Sequence, residues 1–145
     1  MVDSRQAPKF YEVFDHTADL GLYIFGEDWR ALLGHAGEAF ADLITDSACL
    51  KPYEEIRFEI PGETQEELLL RMLKELLYRF DTERRLFTKF TFENAGDNLV
   101  LVRAWGETFD LHRHPFKTEI KAVTRHGLKV EKWGEGLRAT VIFDI

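Results

Sequence analysis

The sequence has one cysteine, two serines and no hydrophobic run long enough to cross a membrane. The single cysteine, Cys49, excludes an intrachain disulfide and a zinc site built from several thiolates. Neither serine, Ser4 or Ser47, lies in a nucleophile elbow, and no phosphate loop or dinucleotide fingerprint is present. The N-terminus lacks the apolar block of a secretory signal, so we expect a cytoplasmic protein that does not associate with membranes.

The length of 145 residues is typical of one domain. The net charge of −7 argues against general nucleic-acid binding, because phosphate contacts require Lys and Arg to replace counterions. Charge is uneven, however. The stretch from Leu111 to Arg138 carries seven basic and three acidic residues. We interpret it as a solvated sheet face in preference to an anion-binding strip.

Residue patterning predicts two helices and a strand-rich remainder. One helix should begin after Asp28 and run to Ile44, and the other should begin at a capping box formed by Thr64 and Glu67. Strands are predicted over residues 10–14, 20–25, 54–60, 86–93, 99–105, 119–125, 128–133 and 137–145. The order predicts an α+β fold, with two helices on one face of a mostly antiparallel or mixed sheet and a single domain over residues 1–145.

Two histidines, His112 and His114, would point the same way from a strand and could meet one zinc ion. Pro115 follows them, and no third nitrogen or thiolate ligand lies nearby in the sequence. We therefore predict that both are solvent-exposed loop residues.

Acidic residues near both ends of the chain suggest a different kind of site. Asp15 and Asp19 bracket the turn between the first two strands, and the sequence stops on an apolar strand that we expect to be docked. Docking would bring the side chain of Asp144 close to the α-carboxylate of Ile145. If Asp19 joins them, the cluster needs protonation, a basic partner or a hard cation. The alternative from spacing alone is that Asp19 caps a turn and Asp144 is solvated.

Several separated motifs resemble those of the archease family and occur in the same order along the chain. They are the run Asp15 to Leu22 (DHTADLGL), the helix and following turn from Glu67 to Glu83, the run Glu119 to Glu131 (EIKAVTRHGLKVE) and the ending Phe143-Asp144-Ile145. The resemblance extends from about Phe10 to the last residue. One departure is Arg125, which stands where many relatives have an aromatic residue.

The resemblance implies a non-catalytic activator of an RtcB-type, GTP-dependent RNA ligase, which acts in tRNA splicing and RNA repair. The activator promotes guanylylation of the ligase and so allows multiple turnover. The activator itself would interact with GTP or RNA only indirectly, through the ligase. The implied metal ligands are Asp19, Asp144 and the terminal carboxylate of Ile145, with Ca²⁺ as the expected ion and Mg²⁺ or Mn²⁺ as alternatives. Lys121, His16 and His126 are candidates for the functional surface.

Two other functions are compatible with the residues. One is a small metal-dependent phosphoesterase that uses His16 as acid or base, although the chain offers few further groups for a complete reaction. The other is a holdase-type binding module, which would suppress client aggregation without needing a metal.

Overall fold

The structure is a computed structural model that describes residues 10–16, 18–96 and 98–145, without the side chains of residues 15 and 16. It contains two α-helices and seven β-strands. The helices are α1 (Trp29–Ile44) and α2 (Gln65–Glu83). The strands are β1 (Tyr11–His16), β2 (Asp19–Gly26), β3 (Glu54–Pro61), β4 (Arg85–Glu93), β5 (Leu99–Thr108), β6 (Ala122–Trp133) and β7 (Gly136–Asp144). Neither described helix is apolar and long enough to cross a membrane.

Both helices begin where the sequence predicts. Asp28 caps α1 by accepting a hydrogen bond from the backbone N–H of Ala31 at 2.8 Å. Thr64 caps α2 by accepting from the N–H of Glu67 at 3.1 Å. The Glu67 carboxylate, however, accepts from the N–H of Glu63 at 3.0 Å, one residue earlier than a standard capping box requires. Each cap satisfies backbone donors that the first turn leaves without partners.

The predicted α+β class is confirmed, but the strands form two antiparallel sheets where the sequence predicted one. Sheet A has the order β1-β2-β7-β6, and sheet B has the order β3-β5-β4. Both helices contact strands of both sheets and therefore lie between them. Nine of the sixteen residues of α1 are buried, more than one apolar stripe requires, because α1 is covered on two sides.

The last two sheet-A strands differ from the prediction in one respect. Residues 119–125 and 128–133 were expected to form separate strands, but residues 122–133 form the single strand β6. Its pairing with β7 is interrupted between Thr124 and Lys129, where four residues bulge outward opposite Val141. Gly127 in this bulge has φ = +68°, a conformation that glycine adopts without steric cost.

Candidate metal centre

The hairpin between β1 and β2 is tighter than the sequence indicates. Residues 15–19 were expected to form a polar turn, but both strands continue into it, and the backbones of His16 and Asp19 are paired. Ala18 in the two-residue connection has φ = +61°, as the turns that join twisted strands require. Asp19 is consequently the first residue of a strand, so its position is fixed by the β2 pairing.

The C-terminal strand is docked in the middle of sheet A, as the sequence predicts. β7 lies between β2 and β6, and its last residue, Asp144, pairs with Asp19 on one side and Ala122 on the other. The N–H of Lys121 donates to the carbonyl of Asp144 at 2.7 Å. The side chains of Val141 and Phe143 are buried, and β7 packs against α1, where the Phe143 ring lies 6.5 Å from that of Phe40. Acidic residues from opposite ends of the sequence therefore meet at one end of the sheet.

Asp19 and Asp144 stand directly opposite each other, so their side chains leave the same face of sheet A. Opposite residues have Cβ atoms about 5 Å apart, and like charges in such a pair are destabilising. At about 4 Å, two carboxylates repel by roughly 1 kcal/mol in water and 4 kcal/mol at an effective dielectric near 20. Asp19 is half-buried and Asp144 is exposed. A divalent cation between these oxygens would reverse the sign of this interaction.

The carboxylates of Asp19 and Asp144 are oxygen donors, the kind that a hard cation requires. Among the side chains that the structure describes, no three His, Cys, Asp or Glu come together to form a metal site. The candidate donors among the described side chains are therefore limited to the carboxylates of Asp19 and Asp144, fewer than a complete site needs. Ile145 follows Asp144 directly and is 38% exposed. Oxygen donors of this kind select Ca²⁺, Mg²⁺ or Mn²⁺ over softer metals.

The three other residues predicted for the functional surface, His16, Lys121 and His126, lie at different positions relative to Asp19 and Asp144. The backbone of His16 is in the same cross-strand row as Asp19 and Asp144. Lys121 is exposed, precedes β6, and is attached through its backbone to Asp144; the described ion pairs include none between it and Glu119. His126 is exposed in the β6 bulge, beyond Thr124, and so is set back from the acidic end.

Much of the basic stretch is paired within the chain. Glu131 accepts from Arg138 at 2.9 Å and lies 3.4 Å from Lys129, and these two contacts lower its pKa. The Arg138 guanidinium also lies 4.4 Å from the Tyr23 ring and 3.7 Å from the Trp133 ring. The charges of Lys129 and Arg138 are therefore balanced by neighbours on sheet A, which agrees with the interpretation as a sheet face and not as an anion-binding strip.

The prediction for the two loop histidines is right for His112, which is exposed, and wrong for His114, which is only 1% exposed. The Nδ1 atom of His114 accepts from the N–H of Asp110 at 2.9 Å, so its Nε2 atom carries the hydrogen and donates to Glu107 at 3.1 Å. His114 is buried because these two bonds satisfy both ring nitrogens. It serves as a loop anchor within the described structure.

Glu107 is the centre of this buried network, and the sequence did not indicate it. Its carboxylate is 4% exposed and also accepts from Arg113 at 2.5 Å and from the N–H of Lys51 at 2.7 Å. Burial raises the pKa of this carboxyl, but the hydrogen bonds from Arg113, Lys51 and His114 outweigh it and lower the pKa below its ordinary value.

Two antiparallel sheets around two helices, with paired acids at one end of a docked C-terminal strand, define a small α+β protein with a candidate hard-cation site. The sequence model described as the Archease protein family (MTH1598/TM1083) matches residues 11–145. The chain belongs to the archease family.

Curated relatives and solved structures support this membership over nearly the whole chain. "Protein archease" of Sulfurisphaera tokodaii is 36% identical over 136 residues, which cover 93% of this chain and 98% of the relative. That of Methanopyrus kandleri is 38% identical over 125 residues, covering 84% and 89%. The solution structure of Methanobacterium thermoautotrophicum protein 1598 superposes with a TM-score of 0.79 at 34% identity, covering 95% and 100%. A Thermotoga maritima archease, described as a possible chaperone, shares the fold with a TM-score of 0.64 at 24% identity, covering 91% and 94%.

Proposed function

We propose that this protein is a non-catalytic activator of an RtcB-type, GTP-dependent RNA ligase and that it acts through a divalent cation. The ion is held by Asp19, Asp144 and the carboxylate of Ile145, and Ca²⁺ is the expected occupant. The observation that carries the proposal is the pairing of Asp19 with Asp144 across β2 and β7. The ligase is proposed as the partner because the sequence motifs imply it, and membership of the archease family supports that part of the proposal.

The position of the acidic pair is well suited to contact with another protein. It lies at an end of sheet A, with Asp144 exposed and with Ile145 38% exposed beside it. A bound cation would supply positive charge there, able to attract carboxylate or phosphate oxygens of the ligase or of its nucleotide. Lys121 lies at the same end of the sheet, because its backbone is bonded to Asp144. Its ammonium group would add a positive charge that can bind a phosphate group.

The test is a multiple-turnover ligation assay with substoichiometric ligase, GTP and RNA ends. We expect this protein to stimulate turnover, and we expect Asp19→Ala or Asp144→Ala to abolish the stimulation while the circular dichroism spectrum and melting curve stay native. We expect a native fold because Asp144 is exposed, Asp19 is half-buried at the sheet end, and neither belongs to the hydrophobic core.

Two controls separate this function from its alternatives. Asp81→Ala, at an exposed position near the end of α2, should retain full stimulation. The protein should not hydrolyse phosphoesters when the ligase is left out. Absence of stimulation by the wild-type protein, or equal stimulation by the Asp144→Ala variant, would refute the proposal.

A further inference from the structure

A second surface, formed by the end of α2 and the loop that follows β5, has the features of a docking site. It is a cavity of about 720 Å³ whose apolar lining is provided by Phe80, Phe109, Phe116 and Leu111. The Phe109 ring makes edge contacts with Phe80 and Phe116, with centroids 5.7 and 6.0 Å apart. Leu111 is 72% exposed and Phe116 is 48% exposed, so apolar side chains form its rim. Concentrated apolar exposure of this kind marks interaction surfaces.

The loop that carries this rim is fastened to the rest of the protein at several points. The N–H of Phe109 donates to the carbonyl of Arg84 at 2.6 Å, and the Thr45 hydroxyl donates to the carbonyl of Pro115 at 2.6 Å. His114 and Glu107 anchor it from inside. The exposed rim is thus preorganised, which reduces the entropic cost of binding a partner.

Arg84 gives the cavity its specific charge. Its guanidinium lies 4.9 Å from the centroid of the Phe80 ring and makes no ion pair with the described side chains. Arg113 and Asp110 also line the cavity, but Arg113 is paired with Glu107 and with Asp110. One unneutralised cation beside an apolar cavity is complementary to an apolar side chain with a carboxylate next to it.

The backbone of Arg84 strengthens this argument. It ends α2 with φ = +58° and ψ = +27°, the left-handed conformation that glycine adopts at most such helix ends. An L-residue with a side chain is strained there, so glycine would favour stability. Strain retained at a cavity wall points to a role for the side chain that occupies it.

We propose that this cavity docks a partner polypeptide through an acidic-apolar segment. The segment inserts one aromatic or long aliphatic side chain between Phe109, Phe116 and Leu111, and it places a neighbouring carboxylate on the guanidinium of Arg84. This contact uses none of the residues of the acidic pair and does not depend on the cation.

The experiment uses an array of nine-residue peptides with a central Phe, Trp or Leu and Glu residues at varied spacing, each printed beside a counterpart with Gln in place of Glu. We expect the wild-type protein to bind its best Glu peptide at least about fivefold more tightly than the Gln counterpart, as measured by fluorescence anisotropy. Arg84→Gly should remove this preference and at the same time raise the melting temperature. Phe116→Ser should weaken binding of both peptides in the pair.

Arg71→Gln is the matched control, because it removes a positive charge from an exposed position of the same helix. It should preserve the preference, and so should Asp144→Asn. The proposal is overturned if no Glu peptide binds better than its Gln counterpart, or if Arg84→Gly retains the preference. It is also overturned if the protein self-associates in a way that Phe116→Ser abolishes, because a second copy would then occupy the cavity.

Discussion

Asp144→Asn is expected to weaken Ca²⁺ binding by about 100-fold in a calorimetric titration, because it removes one charged oxygen donor from a site with few donors. The metal-free variant should melt at the same temperature as the wild type or slightly higher. Asparagine opposite Asp19 relieves the repulsion between like charges in the β2–β7 pair. We expect Ca²⁺ to raise the melting temperature of the wild-type protein, and the same Ca²⁺ concentration should raise that of the variant much less.

Asp81→Asn provides the control for this prediction, since it changes the same functional group at an exposed position of α2. It should leave both the dissociation constant and the Ca²⁺-dependent melting shift unchanged. Undiminished Ca²⁺ affinity in the Asp144→Asn protein would show that this carboxylate is not a ligand.

Glu107→Gln is expected to have the largest effect on stability. The carboxylate is buried and accepts hydrogen bonds from Arg113, His114 and the N–H of Lys51. The glutamine amide has only one acceptor oxygen and cannot accept all three hydrogen bonds. Its NH₂ group would face the N–H donors that now bond to the carboxylate. Removing one member of such a network costs about 3 kcal/mol in the free energy of unfolding. Thermal denaturation should show a decrease in melting temperature on the order of 10 °C. An exposed replacement on β3, Glu59→Gln, should leave the melting temperature nearly unchanged.

The same network makes stability depend on pH in a defined direction. The pKa of Glu107 in the folded protein lies below its ordinary value of 4.5. The unfolded chain therefore takes up a proton at Glu107 at a higher pH than the folded protein does. The contribution of this group is fully present above its unfolded pKa and is lost as the pH falls through the folded pKa. The difference in unfolding free energy between wild type and Glu107→Gln should accordingly shrink below about pH 4.5. A difference that stays constant down to pH 3 would contradict this assignment.

The elements with local signals were predictable from the sequence. Asp28 and Thr64 precede regular apolar stripes, and both helices begin after them. The docking of β7 was also predictable, because Ala139, Val141 and Phe143 share one apolar face of the strand. The meeting of Asp19 and Asp144 followed from that docking together with the family motifs.

Features that depend on contacts between distant segments and lack a motif of their own were not predictable. Gly37 reads as a weak point in α1, yet a Cβ atom there would lie 2.5 Å from the Phe90 ring, so its absence allows α1 to pack closely on sheet B. Val100, Val102, Ala104 and Gly106 are the alternating buried positions of β5, and Glu107 breaks this alternation. Its local sequence pattern therefore does not indicate burial. The groups that bond to the Glu107 carboxylate include the N–H of Lys51, which is 56 residues away in the sequence, and the ring of His114, which is in the loop after β5.

Measurement of the ion position tests the central claim most directly. Crystals of the protein soaked in a calcium salt, with anomalous diffraction data collected, should show one strong peak at the end of sheet A, coordinated by Asp19, Asp144 and the carboxylate of Ile145. A peak bound elsewhere, or none between these residues at a saturating concentration, would contradict the account.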